Sequence, residues 1–284
     1  LFCAIASTGR TATSFLAECL NRIPGVAACH EGHLGNDDGP DVLPLVNLEN
    51  LQAYKSPVAA ADVVAKKRSP AILDAVVRDL GVQVLFDVAY YNSMLLDQIL
   101  DQNPTSRGVA IVRDCESFVR SATWLTGEDP MPVGWPDPSK PLSARERFIS
   151  MGRIRPTDDT DAVAASEWKE WSAVRRNIWL WRSTNEILLE TCRTWAHRVE
   201  ILDFRELASS PREAVAAMLA AVGVDVGTLP PGTVDEAITA AFARQNERTG
   251  GYQLADSAEW SNDDRQFMRR AQQLIDELME GLRV

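Results

Sequence analysis

The sequence predicts an α/β fold: a P-loop-like, three-layer arrangement with a central, mainly parallel sheet flanked by helices. Two observations predict it. Short apolar runs bounded by turns alternate with stretches of helical periodicity, the pattern of strands joined by crossover helices. The first such run passes through a hydroxyl-rich turn straight into a helical pattern. With no internal repeat and no second core pattern, residues 1–284 read as a single domain.

Taken in order, Leu1 to Ala6 is a buried strand that stops at Ser7-Thr8-Gly9. Thr13 to Arg22 is a helix, with Phe15, Leu16, Cys19, Leu20 and Ile23 at three- and four-residue spacing and Pro24-Gly25 as its stop. Val26 to Cys29 is a second strand running into His30-Glu31-Gly32-His33 and a loop rich in Gly, Asp and Pro. Helical pattern covers Ala59 to Leu80, a strand Val82 to Tyr90, and a helix Asn92 to Leu100. Arg107 to Val112 is a strand closed by Arg113-Asp114, and Glu116 to Leu125 a helix. Pro130 to Pro141 holds five prolines in twelve residues, which excludes helix and central strand. Residues 127–142 are therefore a long loop and a candidate lid. Trp-rich helices span Asp161 to Trp195, followed by a strand Val199 to Phe204 and a helix from Ser210-Pro211 to Val222. Two helices finish the chain, separated by Arg244 to Gln253.

The chain has 284 residues with 29 basic and 40 acidic side chains, a formal net charge of −11. That balance argues against a nonspecific nucleic-acid binder, which needs many cations to neutralise phosphates. It leaves room for one small anionic ligand held by a local cluster of Arg. Five cysteines, an odd number without C-x-x-C spacing, fit a reduced, cytoplasmic chain in which they serve as small core hydrophobes. No apolar run reaches the ~18 residues of a membrane span. The opening apolar run lacks a basic flank, so no signal peptide is expected in it.

Strand, then Ser7-Thr8-Gly9-Arg10-Thr11-Ala12-Thr13-Ser14, then helix, is the layout of a phosphate-cradling loop. Backbone N–H groups at a helix N-terminus point outward at the positive end of its dipole. Thr11, Thr13 and Ser14 add hydroxyls, and Arg10 adds a fixed charge with fork geometry. The G-x-x-x-x-G-K-[ST] signature is not met, because the Lys and the second Gly are missing, which disfavours a γ-phosphate-transferring enzyme. A small-molecule kinase, or another nucleotide-dependent phosphotransferase, is the alternative reading.

The loop resembles the 5′-phosphosulfate loop of sulfotransferases that use 3′-phosphoadenosine 5′-phosphosulfate (PAPS): a basic residue, Ser-Gly-Thr-Thr/Ser, then the first helix. Arg10-Thr11-Ala12-Thr13-Ser14 follows it with Thr for Ser and Ala12 for Gly, and Ala at that position requires negative φ. The resemblance also implies a strand-end Arg and a Ser eight residues on that hold the 3′-phosphate; Arg113 and Ser121 have that spacing. Softer matches are Phe204, which the resemblance places near adenine as a stacking residue and which reads equally as a core Phe, and Arg248-Thr249-Gly250 with Gly251, similar to the family's Arg-Lys-Gly loop but with Thr249 for Lys. The cofactor-binding set implied is thus Gly9, Arg10, Thr11, Ala12, Thr13, Ser14, Arg113, Ser121, Phe204, Arg248, Thr249 and Gly250, with PAPS as donor and adenosine 3′,5′-bisphosphate (PAP) as product.

Sulfuryl transfer needs a donor of positive charge at the leaving phosphate oxygen and a base for the acceptor proton. Arg10 is the candidate for the first role. His30 and Glu31 are candidates for the second; as neighbours in an extended stretch they are expected to point to opposite faces. The resemblance favours Glu31, since the stretch Phe86 to Tyr90 lacks the His that cytosolic-type members carry. H-E-G-H is not H-E-x-x-H, so no metal is expected. Asp37 and Asp38 read as solvated, Trp168, Trp171, Trp179 and Trp181 as core, and Trp124 and Trp135 as candidate walls of an acceptor pocket. The acceptor expected is a hydroxyl or amine of a small molecule or carbohydrate.

Overall fold

The structure is a computed structural model and describes all residues except 37, 124, 127–151, 250–252 and 283–284; for 125–126, 245–249 and 253 it describes the backbone only. Strand β1 (Phe2–Ser7) leads into helix α1 (Thr13–Leu20), then β2 (Val26–His30) and the short β3 (His33–Leu34). Helices α2 (Asn50–Lys55), α3 (Pro57–Lys67) and α4 (Pro70–Leu80) precede β4 (Val84–Val88) and α5 (Asn92–Gln102). β5 (Arg107–Val112) is followed by α6 (Cys115–Thr123) and β6 (Leu125–Thr126). Beyond the undescribed stretch come α7 (Asp158–Glu167), the long α8 (Ala173–Thr194) and β7 (Val199–Asp203). The chain continues through α9 (Phe204–Ser209), α10 (Pro211–Ala221), α11 (Thr233–Thr249), β8 (Gln253–Leu254) and α12 (Asn262–Glu280).

The central sheet has six strands in the order β3-β2-β4-β1-β5-β7. All neighbours are parallel except the edge pair β2–β3, while β6 and β8 form a separate antiparallel pair. Side-chain alternation along the strands sends two residue sets to two buried layers. Phe2, Ala4, Ala6, Leu85 and Ala110 join the layer beneath α5, α8 and α12. Cys3, Ile5, Phe86, Val109 and Ile111 join the layer beneath α1, α10 and α11. Both faces of the central strands are covered, so those strands are mostly apolar, with Asp87 of β4 the buried exception.

The helical pattern expected over Ala59 to Leu80 is two helices, because Pro70 removes an N–H and restricts Ser69, so the chain turns at Arg68. That turn drives Arg68 into the core. Its guanidinium meets Asp87 of β4 at 2.9 Å, and both side chains are fully buried. Arg68 Nη1 donates to the Pro44 and Lys67 carbonyls at 2.9 and 2.8 Å, and Nη2 to the Tyr91 hydroxyl at 3.2 Å. Burial would lower the Arg68 pKa; Asp87, with Tyr91 and Cys29, more than reverses this and holds it above its ordinary value.

Several boundaries differ from expectation. The helix expected over Glu116 to Leu125 spans Cys115–Thr123, and Leu125 belongs to β6. Phe204 opens α9 rather than ending a strand, because the Asp203 carboxylate caps the turn by accepting from the Arg205 N–H at 2.8 Å. α11 runs on to Thr249, past the expected break at Arg244, since the sequence offers no Gly or Pro before Gly250 to end it. All five cysteines are buried and unpaired. The expected lid, 127–142, lies outside the described residues, as do Asp37, Trp124, Trp135 and Gly250. Among the described residues no helix is long and apolar enough to cross a membrane.

Asp87→Ala leaves the Arg68 charge buried without its partner and is expected to cost about 3–5 kcal/mol of unfolding free energy, measured by urea denaturation. The paired change Arg68→Met with Asp87→Leu is expected to cost clearly less.

Candidate functional site

The C-terminal ends of β1, β2, β4 and β5 share one edge of the sheet, and the candidate residues gather there. The loop after β1 is bound to its own strand: the Gly9 N–H and the Thr11 hydroxyl both donate to Ser7 Oγ, at 3.0 and 2.7 Å. Gly9, Arg10 and Ala12 have φ of +79°, +56° and +59°. Ala12 is thus left-handed, against the negative φ its side chain prefers, at a cost of roughly 1–2 kcal/mol. Negative and positive φ alternating over Thr11 and Ala12 are the kind of backbone that turns neighbouring N–H groups toward an anion. Ala12 caps α1 with no side-chain acceptor, and the first turn holds no carboxylate. The positive end of the helix is therefore not neutralised by its own sequence.

Arg10 crosses from this loop to α6, where its Nε donates to Ser121 Oγ at 2.8 Å. Ser121 is buried. Arg113, at the end of β5, donates through Nη1 to the Arg10 carbonyl and through Nε to Ser117 Oγ at 2.7 Å. The Ser117 hydroxyl in turn donates to Asp114 at 2.5 Å. The Trp181 indole donates to the Arg113 carbonyl at 2.8 Å, so the long helix α8 fixes the backbone of this arginine. Arg113, Ser121 and Arg10 thus form one connected cluster. Burial pushes the Arg113 guanidinium down to about 10, with Asp114 acting upward and Arg10 downward. An arginine held this way is poised to gain from an incoming anion. Its guanidinium also lies 4.6 Å over the Phe204 ring, so one face of that half-buried ring is already covered.

His30 and Glu31 do not continue an extended strand. Glu31 (φ +49°) and Gly32 (φ +91°) form a two-residue hairpin turn between the paired His30 and His33. A Cβ on Gly32 would lie 2.6 Å from the Leu43 carbonyl oxygen, so only glycine fits there. Relief of the alternation lets both side chains serve the same edge. His30 Nε2 sits 3.1 Å from Thr13 Oγ1, at the first residue of α1. Glu31 acts on the Tyr90 and Tyr91 hydroxyls, whose pKa values rise through burial first and through this negative charge among other causes. His33 pairs instead with Asp41, at 2.7 Å.

Arg248 and Thr249 lie at the C-terminal end of α11 rather than in an open loop. Trp168, Trp171, Trp179 and Trp181 pack in the helical layer, with Trp179 and Trp181 fully buried. Sequence reasoning missed Ser117, which orients Arg113. Its spacing of four from Arg113, on a helix that starts at once, is the signal that carried it.

No protein-family model matches the sequence, and no curated protein matches it. Solved structures do resemble it. A mouse sulfotransferase, SULT7A1, complexed with PAP aligns with a TM-score of 0.44 at 10% identity, covering 98% of this chain and 88% of that one. The sulfotransferase domain from the curacin biosynthetic pathway gives 0.48 at 12% identity, covering 94% and 96%. A sulfotransferase from Alicyclobacillus acidocaldarius gives 0.43 at 13%, covering 87% and 93%.

Ala12→Gly removes the left-handed penalty and restores chain entropy to the unfolded state, for a net gain of about 0.5–1 kcal/mol. Chemical denaturation is expected to read that gain. A loss of stability would mean that the Ala12 methyl contributes more by packing than its φ costs.

Proposed function

We propose that the protein is a sulfotransferase that moves the sulfuryl group of PAPS to a hydroxyl or amine of a small-molecule or carbohydrate acceptor. The observation that carries this reading is the pair of anion-receptive points at one sheet edge: the uncapped N-terminus of α1 and the Arg10–Ser121–Arg113 cluster. A nucleotide with phosphates on both its 5′ and 3′ positions presents two anionic groups to match them. On this reading the N–H groups of α1, with Thr13 and Ser14, hold the 5′-phosphate, and Arg113 with Ser121 holds the 3′-phosphate. Phe204, half covered by Arg113, gives its remaining surface to the adenine.

In the transfer the acceptor oxygen or nitrogen forms a bond to sulfur while the bond from sulfur to the phosphate oxygen breaks. The electron pair leaves with that oxygen, and charge grows on the phosphate. The helix N-terminus and Arg10 stabilise it by fixed dipoles and charge rather than by covalent chemistry. His30 is engaged with Thr13, so its role is to orient that hydroxyl toward the phosphate. Glu31 then takes the acceptor proton.

PAP is expected to raise the Tm of the protein in a thermal shift assay, and Arg113→Ala to abolish the rise. No shift with saturating PAP would overturn the assignment. Glu31→Gln is expected to lower kcat by about 10²–10⁴ with PAP affinity unchanged, whereas His30→Ala weakens PAP binding.

The pH dependence follows from Arg113, whose pKa in the free protein is about 10. A bound phosphate raises that pKa, so by linkage the ligand binds best to the protonated form. PAP affinity is expected to hold between about pH 8 and 9.5 and to fall by up to roughly tenfold per unit above that, read by calorimetric titration.

A further inference from the structure

One cation at this edge has no part in the cluster just described. Arg153 is 3% exposed, and its guanidinium lies 4.2 Å over the Tyr90 ring. Its Nε is buried, and among the described residues it has no hydrogen-bond partner. No ion pair to Arg153 is found among them either. The guanidinium reaches the phosphate loop: a Cβ on Gly9 would stand 4.0 Å from its Nη1. Ser7, Thr8, Asn50, Tyr90, Met94 and Thr184 line the cleft that contains it. Asn50 Oδ1 is a second buried polar atom there without a partner among the described residues.

The surrounding chain is built to hold Arg153 in place. Asn50 Nδ2 donates to the Gly152 carbonyl at 2.8 Å. A Cβ on Gly152 would collide with the carbonyl and side chain of Asn47, so glycine lets the segment sit against the turn before α2. Asn47 also accepts from the Tyr90 hydroxyl, which fixes the ring under the guanidinium. Ile154 is buried on the next residue. A guanidinium buried with an unused donor is costly unless something negative completes it. The face of Tyr90 supplies only part of that, since cation–π attraction leaves the in-plane N–H groups unbonded.

We infer that Arg153, with the Ser7–Gly9 stretch, is the oxyanion subsite on the acceptor side of the loop. Resting on the proposed donor, the oxyanion it holds is the sulfonate of PAPS. Its fork donates to the non-bridging sulfonate oxygens, beside the point where the acceptor attacks. Arg10 and Arg113 serve the phosphates, and Arg153 serves the group that moves. Asn50 Oδ1 is then the acceptor for a hydroxyl brought to the same cleft.

The test uses the full chain and Arg153→Met, which keeps the aliphatic length over Tyr90, with far-UV circular dichroism and Tm to confirm folding. PAPS and PAP are titrated calorimetrically. PAPS is expected to weaken by about tenfold in Arg153→Met and PAP to stay within about twofold, because only PAPS carries the sulfonate. Arg153→Lys is expected to recover part of the PAPS affinity. Equal weakening of both nucleotides, or no change in either, overturns the assignment.

Inorganic sulfate alone supplies an arm independent of the nucleotide. It is expected to raise the Tm of the wild type by clearly more than that of Arg153→Met, in which only the α1 N-terminus and the Arg113 cluster remain to take it; equal rises overturn the subsite. If sulfate acts through Arg153 while neither nucleotide binds the wild type, the oxyanion subsite stands and the PAPS reading falls. Should Arg153→Met fail to fold, selenate soaked into crystals of the wild type decides. An anomalous selenium peak placed so that a selenate oxygen lies within hydrogen-bonding distance of the Arg153 guanidinium supports the subsite, and a water alone at that position overturns it.

Discussion

The buried pair Arg68–Asp87 sets the conditions for everything above it. Asp87 lies in β4, in register with Ala4 of β1 and Cys29 of β2, so its carboxylate sits under the middle of the sheet. Arg68 arrives from a helix break and spends its remaining donors on two carbonyls and the Tyr91 hydroxyl. Two segments distant from it in sequence, at Pro44 and at Lys67-Arg68, are thereby pinned to one strand and to the Tyr91 that follows it. That strand carries Tyr90 and Tyr91 directly beyond its end. The pair contributes little net attraction once desolvation is counted, but separating its partners is expensive. Such an interaction fixes position more than it adds stability, and what it positions is the floor beneath Gly9, Glu31 and Arg153.

The site edge has a division of labour that follows from topology. In parallel sheets the loops at the strand C-termini meet along one crevice, so groups far apart in sequence become neighbours. Here the β1 loop contributes backbone dipoles, β5 contributes Arg113, and the β2 hairpin contributes His30 and Glu31. The acidic excess of the chain does not set the local field at this edge, where Arg10 and Arg113 stand together and act on each other. Global charge governs long-range encounter, whereas the local field decides what stays bound.

Much of this was legible in the residues. Alternating periodicities gave the layers, and the eight-residue spacing singled out Arg113 with Ser121, while the first loop singled out Arg10; that Arg10 joins the other two through its Nε and its carbonyl is a tertiary fact. Three features were hidden. The left-handed Ala12 could not be read from a residue whose own preference opposes it; tertiary packing of the loop overrides the local term. The hairpin turn at Glu31-Gly32 carries a weak signal, since the favoured turn pairs place Asn or Asp before Gly, and extended alternation looked equally good. Arg153 has no pattern around it at all. Its importance comes from Gly152 and Asn47 meeting across a large gap in sequence, which is a tertiary fact.

The burial of every cysteine has a consequence for how this molecule can be watched. Burial pushes each thiol upward in pKa, so the nucleophilic thiolate is scarce as well as shielded. Cys3 and Cys29 sit in β1 and β2, Cys19 in α1, Cys115 at the start of α6 and Cys192 in α8. The native chain therefore carries silent reporters on both layers and on the strands between them. A thiol reagent applied in pulses reads the opening of each part separately, and a cysteine introduced on the surface takes a single label without background.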